Sequence, residues 1–199
     1  GEIYNKQLED VEKIRSDKRK ELERKTIETE YRQPALNFLN QGSVYASEVP
    51  EYAEALIAYY EQNWDSALRK SNQARKKDPE LYEVDLLQGD MFLQRGTKER
   101  IAANYKEADR YFKMAHDKFT EVTKVARSDP RGYDGLCRTW YQVIYTTFYS
   151  SGGNIRPQVQ NSMIDCSNAL KADPERSDIM AWQLAIYSTY QEFLMISGE

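Results

Sequence analysis

The side chains in this sequence that could do chemistry are few and scattered. His116 is the single histidine, set between Ala115 and Asp117 on a polar face. Zinc needs several nitrogen or sulfur ligands, and no second His exists to join it, so a surface histidine is expected. Cys137 and Cys166 are the two cysteines, and no Cys-x-x-Cys occurs. They fall early on one helical run and late on its antiparallel partner, about level across a hairpin centred near residue 152. A redox disulfide is open to them, while two buried thiols in a reducing compartment is the expectation. Ser151-Gly-Gly-Asn154 lacks a following Lys-Ser/Thr, so it reads as a plain loop and not as a phosphate cradle. No Gly-x-Ser-x-Gly elbow, Walker motif, EF-hand loop or kinase signature is present. A catalyst needs titratable groups that converge. These do not, so the expectation is a non-enzyme with no cofactor and no metal.

What the chain does have is aromatic surface. Aromatic residues make up 12%, and 15 of them are tyrosines. At three-to-four spacing most belong to a core, but tyrosines left outside it suit capture of a protein or peptide. The net charge of −4 is spread along the chain, which disfavours nucleic acid as partner. No stretch approaches the 18 or so apolar residues of a membrane span. With no signal-peptide pattern, a cytoplasmic location is expected. The start at Gly1, without Met, gives the further expectation of a piece of a longer protein.

The elements that carry these residues are helices; nothing alternates with the period of a strand. Residues 1–33 are dominated by interleaved charges. Glu2/Lys6, Glu9/Lys13 and Glu21/Lys25 are spaced four apart with Glu first, which supports one long helix. A coiled coil is the alternative there. Gln33-Pro34 is expected to break it, because the residue before proline is pushed from helical geometry. Residues 34–49 read as a short helix with Leu36, Phe38 and Leu39, then a connector ending at Val49-Pro50.

From residue 50 to 199 the punctuation is regular. Asp-Pro recurs at Asp78-Pro79, Asp129-Pro130 and Asp173-Pro174, each after a helical run and before an aromatic-rich one. About three helical hairpins and a terminal helix result. Asp65 is the expected cap of the helix after Gln62-Asn63. Gly89 falls where a paired helix crosses closely, and Gly96 reads as a helix-ending left-handed cap. The interval from Pro79 to Pro130 is 51 residues. A common helical-hairpin repeat spans about 34, so the surplus must lengthen helices or the 96–104 connection.

Two strings carry a resemblance: Tyr105-x-x-Ala108-x-x-x-Phe112-x-x-Ala115 and Trp64-x-x-Ala67-x-x-x-Ser71-x-x-Ala74-x-x-x-x-Pro79. They resemble tetratricopeptide repeats over roughly residues 50–196. In that family the small, aromatic and second small residue make the inter-helix contact; Ser71 stands at the aromatic position, with Trp64 nearby to compensate. Gly89 and Phe92 match the family's Gly and Tyr, whereas Trp140 lies near where Gly is usual. The resemblance implies a right-handed α-solenoid with a concave groove lined by its first helices. Carried onto this chain, the peptide-binding groove would hold Tyr52, Leu56, Tyr59, Asp90, Arg138, Tyr141 and Tyr145. The Lys and Asn of the family's carboxylate clamp are missing from the first helix, so chaperone tails are not expected to bind. Strings such as Arg32-Gln-Pro-Ala-Leu36 and Leu87-Gln-Gly-Asp90 are similar to repeat regions that follow the kinase domain of some bacterial serine/threonine kinases. That implies a scaffold or sensor module of a signalling protein, with an unidentified protein or peptide partner. Self-association through helices 2–32 and 178–196, giving a homodimer, is the alternative. A small-ligand sensor beneath the over-long helix 104–128 is a third.

Overall fold

A computed structural model describes residues 7, 10, 11, 17–38 and 49–198. All the regular structure among them is helical. The chain divides into two compact units, Gly1–Leu81 and Tyr82–Glu199.

The first unit holds α1 (Asp17–Ile27), a π-helical turn (Glu28–Arg32), α2 (Pro50–Tyr60) and α3 (Trp64–Lys77). Charged side chains of α1 are largely exposed, while Val11 and Ile27 are buried. Glu2/Lys6 and Glu9/Lys13 lie outside the described residues. The expected break at Gln33-Pro34 is corrected: residues 33–38 are helical. Proline removes an N–H and crowds the carbonyl one turn back. The chain answers with a π turn, in which Gln33 N–H donates five residues back to Glu28 O. Of the expected short helix, 34–38 is seen to be helical, and 39–46 lies outside the described residues.

α2 and α3 form a hairpin. Ala67, Ser71 and Ala74 are fully buried, as their spacing predicts, and small side chains there let the two backbones approach. The Ser71 hydroxyl donates to Leu68 O at 3.0 Å, so it is satisfied in the dry contact. The cap of α3 is Asn63 and not Asp65: its side chain accepts from Ser66 N–H at 3.3 Å. Asp65 sits in the first turn, where a negative charge suits the helix dipole.

The second unit holds α4 (Glu83–Ile101), α5 (Tyr105–Val125), α6 (Pro130–Ser151), α7 (Arg156–Ala172) and α8 (Ser177–Ser197). α4 pairs with α5 and α6 with α7; α8 packs on both α6 and α7, and α6 also touches α4. The surplus residues of the long repeat go into the helices, 19 and 21 residues long, and the connection is only Ala102–Asn104. Ala103 turns it with φ 61, a left-handed conformation unusual outside glycine.

The three Asp-Pro pairs act by one mechanism with two outcomes. Proline forces the preceding residue out of helical geometry. Asp78 (φ −130, ψ 97), Asp129 (−82, 116) and Asp173 (−145, 93) are accordingly extended. Asp78 and Asp173 end helices. Asp129 opens one, its carboxylate accepting from Arg131 N–H at 2.9 Å with Pro130 in the first turn.

Close helix approach is centred on two rings of α5. A Cβ on Gly89 would lie 2.6 Å from Phe119, and one on Gly135 would lie 2.3 Å from the same ring. Gly89 therefore does what its position predicts. Gly96 does not: it is a buried residue inside α4, and a Cβ there would lie 2.5 Å from Phe112. The left-handed caps are Gly152 and Gly198. With Trp140 near the usual glycine position of α6, Gly135 supplies the close approach. Phe112, Phe119 and Val122 are fully buried, so these side chains fill the underside of the over-long α5.

Candidate functional site

The seven groove residues divide between the units, three in the first and four in the second. In the first, Tyr52 and Leu56 are half-buried on α2. Tyr59 is 9% exposed, with ring edges against Tyr60 (5.2 Å) and Trp64 (5.9 Å). It is thus largely enclosed within the first unit, where Tyr52 and Leu56 are more open.

In the second unit α4 and α6 bring the other four onto one side. Arg138 Nη2 donates to Asp90 Oδ1 at 2.9 Å, tying α6 to α4. Tyr141 and Tyr145 follow at the next turns of α6, their rings 6.1 Å apart. All four are half-buried.

Sequence reasoning missed the residues that support them. Trp182 of α8 packs against Tyr141 at 5.2 Å. Arg100 of α4 stands over the Tyr145 ring at 4.6 Å and donates through Nε to Gln142 Oε1 at 2.9 Å. A cation over an aromatic face is held by the ring's quadrupole, and here the fork is fixed by a second bond. Tyr149 continues the row, 4.4 Å from Tyr145. Its hydroxyl donates to Glu192 of α8, which pushes the phenol up to about 12. The outcome is an aromatic row along α6, braced by α4 on one flank and α8 on the other.

An ion network underlies one end of this row. Asp134 Oδ2 lies 3.3 Å from both Arg138 Nε and Arg176 Nη2, and Arg176 reaches Asp178 at 2.6 Å. Burial pushes the Asp134 carboxyl up, against the pull of the two guanidiniums. On α5, Lys118 Nζ meets the buried Asp85 at 3.1 Å. These charges are bonded to each other, so they order the surface more than they offer free charge to a ligand.

The remaining chemically capable residues are structural. His116 is half-buried, its ring edge-on to Trp140 at 5.0 Å, and so is more enclosed than a surface histidine. Trp140 Nε1 donates to Asp165 at 2.7 Å, which joins α6 to α7; burial pushes that carboxyl up, opposed by the Trp140 bond. Cys137 and Cys166 are joined in a disulfide with Cα atoms 4.9 Å apart, and both are fully buried. The antiparallel register places them level, as their positions predict. The expectation of two separate thiols is corrected. Among the described residues no group of His, Cys, Asp and Glu could hold a metal ion. No helix among them is long and apolar enough to cross a membrane.

No protein-family model matches the chain, and neither a curated protein nor a solved structure matches it. Fold and site define a class: an all-helical protein, over the described residues, made of helical hairpins that present a braced aromatic row.

Proposed function

We propose that the chain is a non-catalytic protein-interaction module, a scaffold or sensor part of a bacterial signalling protein. Its hairpins would stack as a right-handed α-solenoid of tetratricopeptide type. The working surface in the second unit is the face of α4, α6 and α8 that carries Asp90, Arg138, Tyr141 and Tyr145. The observation that carries this reading is the half-buried aromatic row on α6, held from both flanks by Arg100 and Trp182. Preformed aromatic surface binds with little ordering cost, and Tyr, Trp and Arg dominate such interfaces. An extended peptide or one face of a helix fits the one-turn spacing of Tyr141 and Tyr145.

The serine/threonine kinase context rests on the resembling strings alone. The Cys137–Cys166 disulfide favours work where thiols oxidise, and so weighs against the cytoplasmic setting expected from the sequence.

Selection from a displayed peptide library, followed by fluorescence anisotropy, tests the reading. Tyr141→Ala and Tyr145→Ala should each weaken a selected peptide by about tenfold, with circular dichroism unchanged. Binding unaffected by both would remove the row from the working surface. Arg138→Ala is a poor probe, because it strips a partner from buried Asp134.

A further inference from the structure

We infer that the outer face of α8 is a homodimer interface, in which two copies pack α8 against α8 antiparallel about a two-fold axis. This does not depend on the peptide-binding reading, since the aromatic row lies on a different face.

The face is apolar and open to solvent. Met180, Leu184, Tyr187, Met195 and Ile196 are 52%, 70%, 49%, 73% and 72% exposed. From Ile179 to Ser197 the single charge is Glu192, and it is held by Tyr149.

Register shows what the face is built for. Met180, Leu184, Tyr187 and Gln191 lie 6, 10, 13 and 17 residues past Pro174. Asp85, Gly89, Phe92 and Gly96 stand at the same distances past Pro79. On α4 those four are buried, with Phe119 and Phe112 of α5 against the two glycines. The exposed stripe of α8 thus holds the register of a helix-pairing face.

A second copy fits it. Neutrality means that self-pairing opposes no like charges. Large and small residues also alternate so that the face complements itself: with the two-fold axis level with Ile186, Leu184 meets Ser188, Gln191 meets Ala181 and Met195 meets Ser177. All six are exposed. The five apolar side chains offer on the order of 500 Å² per copy, so a pair would bury about 1,000 Å², where specific interfaces begin. An interface at this low end of the size range belongs with weak, transient contacts, so the dimer would be concentration-dependent.

Sedimentation velocity on the whole chain, from about 1 to 100 μM, tests this. The expected result is a monomer–dimer equilibrium. Leu184→Arg should weaken it at least about tenfold while circular dichroism and the melting temperature hold, since the side chain faces solvent in the monomer. Leu22→Arg, on an exposed position of α1, should leave it unchanged. A wild type that stays monomeric across the range overturns the inference. So does a dimer that survives Leu184→Arg, or one that Leu22→Arg abolishes.

Discussion

Gly135→Ala should destabilise the second unit, although alanine is the better helix former. The substitution gains about 1 kcal/mol of helix propensity. It also places a Cβ 2.3 Å from Phe119 Cδ1 and 2.4 Å from Cε1, where ordinary contact begins near 3.4 Å. The ring is fully buried, and Gly89 already lies against its Cε1 edge, so relief requires an off-rotamer ring or separated helices. A contact this short, against a ring held on both edges, falls in the upper part of the overpacking range, about 2–3 kcal/mol. The net expectation is a loss of about 1–2 kcal/mol, read as a lower urea midpoint at unchanged slope. In a Phe119→Leu background the same substitution should cost little or stabilise, with a coupling of about 1 kcal/mol or more. A Gly135→Ala protein as stable as wild type or more so, with Phe119 intact, would refute the close approach of α5 and α6 on which the placement of the aromatic row depends.

Other outcomes follow from local contacts. Replacing both Cys137 and Cys166 by Ala opens a 29-residue loop, for an expected loss of about 3.5 kcal/mol in urea unfolding. Alkylation of the unfolded wild type without reductant should modify neither cysteine, and two modified thiols would contradict the disulfide. Asp129 has its carboxyl held below its usual range, first by the Arg131 side chain and also by Arg131 N–H and the Tyr82 hydroxyl. Its stabilisation is therefore fully present above about pH 4, its unfolded range, and is lost as pH falls toward the lowered folded value. Asp129→Asn keeps a capping side chain, so it should flatten the fall of stability below about pH 4; an unchanged acid limb would show that the pair contributes nothing.

Much of the fold is legible from single residues because its causes are local. Proline acts on its own neighbour, so the Asp-Pro turns and the hairpins between them can be read directly. Small residues at three-to-four spacing have no other use on a buried face, which is why Ala67, Ser71, Ala74 and Gly89 fall where expected. What is missed depends on residues distant in sequence. Gly96 has the type of a C-cap, and only Phe112 on the next helix shows that it is a packing glycine. Ending α4 there also hides Arg100, which brings the cation to Tyr145. Pro34 breaks a regular helix but not one that takes a π turn first. Tyr59 and Tyr141 are alike in sequence; the buried one differs through Trp64, a neighbour across a turn. The disulfide was geometrically allowed, and what separates a bond from two thiols is a backbone distance that spacing alone does not set.

The most direct test of the interaction reading is amide chemical-shift mapping on the isotopically labelled chain with a library-selected peptide. The account predicts that the largest changes fall on the α4–α6–α8 face, around Tyr141, Tyr145, Arg100 and Trp182. Changes confined to the outer faces of α5 and α7, or failure of the library to yield any binding peptide, would contradict it.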